Sequence, residues 1–374
     1  MKRPLVVING PILQDGARRL ITRHTGRMLS EVAGKLGPLE LWQFLVPRQD
    51  ARTAGGLFDF DLSLHPLLAA GGVPSPAGSG WKRLVPRLHM YAGLPAKVAH
   101  RPWCYLFLPG TLPAACAAAC RLRGVPYAVY LRGLAPDDWL HAQALGHARL
   151  VVCNNTHDAG RASRHARPVV IARALTELDG GDLERPRDFR PRPRRLLFVG
   201  RLEKPKGVDV LLTVFNRLRR DDPDLELVLV GDGPLAPEAE AMDGTCGGIR
   251  LTGTLHDRDS LAREYLQADL FILPSLAEGF PRVLYEAMIF RLPIVTTMVG
   301  GIPSVMEDGR NCLAVAPGSP ESLETAIRRL LWDSALRATL VEGGMGTMRA
   351  WLECRLPSHA DHLLQAFPPM GRRS

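Results

Sequence analysis

The sequence lacks several features that would settle its class at once. It holds no C-x-x-C pair, and its seven cysteines (Cys104, Cys116, Cys120, Cys153, Cys246, Cys312 and Cys354) are odd in number and scattered, mostly within apolar runs. That pattern argues against a disulfide framework or a zinc site and predicts reduced thiols in a cytoplasmic protein. No uncharged run is long enough to cross a bilayer: 104–120 is interrupted by Pro109, Gly110 and Pro113, and MKRPLVVING stops well short of a signal-peptide core. There is no G-x-S-x-G and no Walker A motif, and the glycines of VGDGP, Gly231 and Gly233, lack the third glycine of a dinucleotide fingerprint.

What is present points to two domains. A chain of 374 residues exceeds what one hydrophobic core usually serves, and 46% hydrophobic against 23% charged residues allows each half a core of its own. Charge is divided unevenly. Residues 1–175 hold 22 Lys and Arg against 9 Asp and Glu, a balance of +13, while the remainder holds 25 against 29, a balance of −4. The basic half is the one expected to meet an anionic membrane face or another polyanion. Within it, 81–103 interleaves Lys82, Arg83, Arg87, Lys97 and Arg101 with Trp81, Tyr91 and Trp103, a composition shared by interfacial segments and by plain solvated faces. No nucleic-acid module accompanies it, and no nucleic-acid partner is expected.

Short apolar runs recur with helical stretches between them: LVVIN (5–9), LELWQFLV (39–46), CYLFL (104–108), YAVYL (127–131), LVVCN (150–154) and VVIA (169–172). After them come RLLFVG (195–200), LELVLVG (225–231), IRLTG (249–253), DLFILP (269–274), PIVTT (293–297) and CLAVA (312–316). Strands without polar alternation belong to parallel sheets covered on both faces, so the prediction is α/β, with two doubly wound Rossmann-like domains and a cleft at the carboxyl ends of their strands. The charged, proline-rich segment 184–195 is too polar to pack and is the expected linker. The predicted domains are 1–185, 186–348 and a helical segment 349–374, broken by Pro357, that either crosses back to the first domain or lies at an edge.

Three stretches carry candidate chemistry. In GRLEKPKG, a strand ends at Gly200 and a loop bearing Arg201, Lys204 and Lys206 precedes an apolar helix; cations beside a helix N-terminus suit a diphosphate, and equally describe a solvated basic loop. In EGFPRVLYE, Glu278 precedes a helix opened by Pro281 at its first position, and Glu286 lies about one and a half turns inside it. Two carboxylates flanking free helix N–H groups suit a ligand with hydroxyl pairs and phosphate; the plain alternative is a capping acid and a surface helix residue. Asp59-Phe60-Asp61 is formally an Asp-x-Asp metal pair, but it follows no strong strand, and no metal is expected.

Taken together and in order, FVGRLEKPKG, VGDGP, LTGTL, PSLAEGFPRVLYEAM and PIVTTMVGGIPSVMEDGRNCLAV resemble the retaining GT-B glycosyltransferases of family 4, over roughly 194–330. The resemblance implies that Arg201 and Lys206 bind the diphosphate, Glu278 the donor sugar and Glu286 the ribose, with the backbone of Gly279, Phe280 and Pro281 close to sugar and phosphate. It implies a nucleotide diphosphate sugar donor, UDP- or GDP-linked, with no further cofactor. It also implies a glycan or lipid-linked acceptor, in bacterial polysaccharide or cell-surface glycan synthesis at the inner membrane face. The N-terminal half departs from the pattern. NGPILQDG (9–16) stands where a glycine-rich loop is usual, with Gly10 or Gly16 as the close-approach residue. Arg132-Gly133 stands where a His-Gly pair is usual, and ALTELDGGDL (174–183) replaces an Asn-Gly-Val-Asp stretch. Arg132 is either a ligand for the leaving phosphate or an acidic acceptor, or a structural residue. The alternatives to a transferase are a sugar-nucleotide-binding accessory protein and, last, another GT-B reaction such as a phosphorylase or epimerase.

Overall fold

The computed structural model describes residues 2–47, 58–74, 90–133, 138–172, 187, 190–255, 257–279, 281–353 and 356–368. Phe280, the stretch 174–183 and residues 81–89 of the basic segment lie outside the described residues. The chain divides into two compact units. One holds the elements from Leu5–Val7 to Val169–Ile171 together with the terminal helix His359–Ala366; the other holds those from Arg195–Val199 to the helix Ser334–Glu353.

Each apolar run of the sequence forms a strand, and each of these strands is paired in parallel with its neighbour. In the N-terminal unit the order is Val169–Ile171, Leu150–Cys153, Tyr127–Leu131, Cys104–Leu108, Leu5–Val7 and Leu39–Pro47, with Leu68–Pro74 added alongside the last. Burial on both faces follows from strand periodicity. Leu5, Val7, Cys104, Leu106, Tyr127 and Val129 enter one core, whereas Val6, Tyr105, Phe107, Ala128 and Tyr130 enter the opposite one. Each fully buried aliphatic or aromatic side chain contributes roughly 1.5–3 kcal/mol relative to exposure.

Residues 9–16 differ from the expected glycine-rich loop. Ile12–Asp15 continues the sheet beside Leu39–Pro47 and turns back through Gly16 into the antiparallel strand Arg18–Ile21. The left-handed φ of +58° at Gly16 serves that hairpin turn, and only Gly10 stays in the loop directly after the first strand. Asp15-Gly16 is a hairpin signal, obscured in the sequence by the brevity of the strands that flank it.

The C-terminal unit is a six-stranded parallel sheet in the order Ile249–Gly253, Glu226–Val230, Arg195–Val199, Leu270–Leu273, Ile294–Thr297 and Leu313–Val315. One continuous core serves it. The proline-rich segment before it is not wholly solvated. Arg187 packs its guanidinium onto this unit, donating from Nη1 to the carbonyls of Tyr265 (3.0 Å) and Phe290 (2.8 Å) and from Nη2 to that of Ala268. Backbone carbonyls at element ends are strong acceptors, and they hold, half-buried, an arginine that composition alone would leave in solvent.

The terminal helix His359–Ala366 carries a capping box in which Ser358 and Asp361 exchange backbone and side-chain bonds. Ala360, Leu363 and Phe367 join the second N-terminal core, with Phe367 stacked on Trp103 at 5.2 Å.

Candidate functional site

In the C-terminal unit the chain leaves Arg195–Val199, moves outward through two strands on one side, and returns to Leu270–Leu273 on the other side of its starting strand. That reversal puts the loops after Val199 and Leu273 side by side at the carboxyl edge, with no strand between them. The amides of Leu276 and Ala277 both donate to Pro205 O (2.9 and 3.3 Å). Across this junction Lys206 Nζ meets Glu278 Oε1 at 2.7 Å, and Ser275 Oγ donates to the same oxygen at 3.0 Å. Glu278 is 7% exposed while the Lys206 side chain is 25% exposed, so the acid is a buried anchor and the cation faces outward from it.

Two glycines allow this closeness. Gly207 adopts φ +70°, and a Cβ there would collide with Pro274 O; Gly300 adopts φ +57°, and a Cβ there would collide with Glu278 O. Gly301 N donates to that same Glu278 carbonyl at 3.2 Å, and Thr297 Oγ1 to Ser275 O at 2.6 Å. Glu278 is therefore held by side chain and backbone alike. It caps no helix, since the helix Arg282–Ile289 has no side-chain cap. Pro281 is the N-cap residue of that helix, one position earlier than expected, because its ψ of 82° lies outside the helical range.

Glu286 is buried rather than on the surface. Tyr265, on the helix Arg258–Gln267, donates its hydroxyl to Glu286 Oε2 at 2.8 Å. Burial pushes the Glu286 carboxyl above its usual range, against the opposing effects of the Tyr265 bond and the Arg282 charge. Arg201 is exposed and paired with Glu203 at 3.2 Å. Gly279 is half-buried beside Glu278. Of the residues singled out in this half, Lys206 and Glu278 are brought into contact, Glu286 faces Tyr265, and Arg201 extends to solvent. Ser275 and Tyr265 join the site without any signal in the sequence beyond their places at a strand end and on a helix.

The N-terminal unit has its own reversal, between Leu5–Val7 and Cys104–Leu108. Arg132 follows the next strand, with its amide bonded to Leu108 O at 2.8 Å. Its Nη1 donates to Asn9 Oδ1 (3.2 Å) and its Nη2 to His24 Nε2 (2.8 Å), while the guanidinium lies 5.9 Å from the Phe107 ring centroid and 5.7 Å from that of Tyr130. Accepting from an arginine requires His24 to be neutral with its proton on Nδ1. Beneath the arginine, Tyr105 and His359 share a hydrogen bond at 2.6 Å. Burial, with the charges of His362 and Arg132, holds His359 down at about 3. Asn9 carries a turn signal in the sequence; His24 carries none. Asp59 is ion-paired to Arg23, and Asp61 caps Ser63 N at 3.0 Å, so both aspartates of the Asp-x-Asp serve local structure.

Residues 193–333 match the family model described as glycosyl transferases group 1. An alpha-D-kanosaminyltransferase from Streptomyces kanamyceticus is 31% identical over 150 residues, which cover 39% of this chain and 39% of that protein. The chain thus matches about two fifths of that relative's length. Two solved structures share the fold along nearly the whole chain. HepE from Anabaena, in complex with UDP and glucose, has a TM-score of 0.67 at 15% identity, covering 94% of this chain and 96% of its own. WaaG, a glycosyltransferase involved in lipopolysaccharide biosynthesis, has a TM-score of 0.66 at 16% identity, covering 97% and 99%. The architecture is that of GT-B structures.

Proposed function

We propose, from the premise that residues 193–333 are a group 1 glycosyltransferase domain, that the whole chain is a retaining glycosyltransferase using a nucleotide diphosphate sugar. The observation that carries this reading is the Lys206–Glu278 contact at the point where the strand order reverses. A cation and an anchored carboxylate sit together where an open α/β sheet receives its ligand. The cation suits a diphosphate and the carboxylate suits sugar hydroxyls. Lys206 exchanges Glu278 for phosphate when the donor binds, and Arg201 exchanges Glu203, so that neither cation loses an anionic partner. Glu286 accepts hydrogen bonds from the ribose hydroxyls, and the backbone from Gly279 through Phe280 to Pro281 lies along sugar and phosphate.

In the reaction an acceptor hydroxyl oxygen bonds to the anomeric carbon while the bond from that carbon to the phosphate oxygen breaks. The electron pair leaves with the diphosphate, which also takes the hydroxyl proton. Arg201 and Lys206 stabilise the charge that develops there. UDP is the first donor nucleotide to test, GDP the second. The acceptor is a glycan or lipid-linked hydroxyl of a bacterial surface polymer, met on the N-terminal unit at the cytoplasmic face of the membrane. Among the described residues no helix is long and apolar enough to cross a membrane; the basic balance of residues 1–175 supplies the attraction to an anionic surface.

The assay is release of nucleoside diphosphate from UDP- and GDP-sugars. Lys206→Ala and Glu278→Ala should each lower turnover by about a hundredfold or more. Turnover unchanged in both variants would remove this site from the chemistry. A second reading, a sugar-nucleotide-binding accessory protein, draws support from Arg132 in place of the family's histidine; binding of donor without turnover for any acceptor would favour it.

A further inference from the structure

We propose that Ser275 is a positioning residue of the donor site: its hydroxyl holds the Glu278 carboxylate in place while Lys206 leaves that carboxylate for the diphosphate. The inference deepens the donor-site reading and rests on it, since it takes Lys206 as the diphosphate's cation and Glu278 as the sugar's acid.

Two donors share one oxygen: Lys206 Nζ lies 2.7 Å and Ser275 Oγ 3.0 Å from Glu278 Oε1. They differ in freedom. Ser275 lies just beyond the strand Leu270–Leu273 at 0% exposure, and the backbone around it is tied to the neighbouring strand Ile294–Thr297. Thr297 Oγ1 donates to Ser275 O at 2.6 Å, and Thr296 Oγ1 to Leu273 O at 2.9 Å. Lys206 instead ends the single turn Lys204–Lys206 and carries its charge on a flexible four-carbon stem, with its side chain 25% exposed. The fixed donor stays with the carboxylate, and the movable one reaches a ligand. Sealed from solvent, Ser275 touches no ligand itself and acts through Glu278.

A carboxylate as buried as that of Glu278, at 7% exposure, is costly to leave without a donor. While both donors are in place they compete for Oε1, and the hydroxyl bond at 3.0 Å lies at the long end of the O–H···O range. Once Lys206 turns to phosphate, the hydroxyl no longer shares that oxygen with a cation, and a hydrogen bond to an ionised acceptor is short and strong. The Ser275 hydroxyl therefore contributes more to the donor-bound state than to the empty one. That difference eases the release of Lys206; without the hydroxyl, Glu278 would hold the cation more tightly.

The test measures the affinity of the full chain for UDP and GDP, each beside its nucleoside, uridine or guanosine. One diphosphate should bind, and Lys206→Ala should weaken it about tenfold or more. Ser275→Ala should weaken the same diphosphate about tenfold and its nucleoside less than about threefold, because only the diphosphate calls on Lys206. In chain carrying Glu278→Gln, which has no charge to hold, adding Ser275→Ala should change diphosphate affinity less than about threefold. Ser275→Cys, a weaker donor of similar shape, should fall between serine and alanine. Equal losses for diphosphate and nucleoside in Ser275→Ala would show a general disturbance of the fold and overturn the positioning role. An unchanged diphosphate affinity, or a tenfold loss that persists beside Glu278→Gln, would overturn it too. Each of these results leaves the donor-site reading standing as long as Lys206→Ala still weakens the diphosphate. A chain that binds neither diphosphate, or binds one regardless of Lys206, overturns the donor-site reading and this inference with it.

Discussion

At the scale of single residues, Glu286 is a buried acid of the C-terminal unit that faces a tyrosine hydroxyl. Its carboxyl is buried and its Oε2 is satisfied by the Tyr265 hydroxyl. Tyr265→Phe removes that donor while filling the same space, leaving a buried acceptor short of one bond, and should cost about 1–3 kcal/mol in urea denaturation. If Glu286 also holds the ribose, the variant should weaken UDP binding without altering the response to inorganic phosphate. Lys206, Glu278 and Glu286 are singled out in the sequence because their motifs occur in order. That Lys206 touches Glu278, 72 residues away, is not legible, because the contact is created by the order of strands in the sheet. His24 is invisible for the same reason: it lies on a helix 108 residues before the arginine it contacts.

At the scale of elements, the loops around Glu278 are built on glycines whose replacement has a definite consequence. Gly300→Ala would drive a methyl group into the Glu278 carbonyl at a positive φ, so the variant should lose more than about 1 kcal/mol of stability and should lose donor binding. Gly346 offers the control. It lies exposed in the helix Ser334–Glu353, with nothing within 4 Å of the place a Cβ would take, and Gly346→Ala should stabilise the chain by about 0.5–1 kcal/mol. Thermal melts of the two variants should therefore move in opposite directions. Strands are the most legible elements, since buried parallel strands announce themselves as short uninterrupted apolar runs. The hairpin at 12–21 is not, because Arg18 and Arg19 on its return strand mimic a polar loop. The docking of the half-buried Arg187 leaves no mark in composition either, because its described partners are backbone carbonyls.

For the molecule as a whole, the C-terminal helix ties the end of the chain to the first unit through a histidine that must stay neutral. His359 in the folded chain titrates at about 3, against an ordinary value of 6.5. Unfolded chain takes up this proton near pH 6.5 and folded chain does not, so the stability it supports is complete above that value. It is lost as pH falls from 6.5 toward 3, at up to about 1.4 kcal/mol per pH unit. His359→Phe should flatten that acid limb, while costing some stability near neutral pH through the lost Tyr105 bond. The two-unit α/β plan is legible from length and strand rhythm alone. The central claim is a nucleotide-sugar site built on Lys206 and Glu278, and the measurement that addresses it most directly is a thermal-shift panel of UDP-, GDP- and ADP-sugars. One member should raise the melting temperature of the unaltered chain and fail to do so in Lys206→Ala and Glu278→Ala. A panel in which no nucleotide sugar shifts the unaltered chain, or in which both variants respond as it does, would contradict the account.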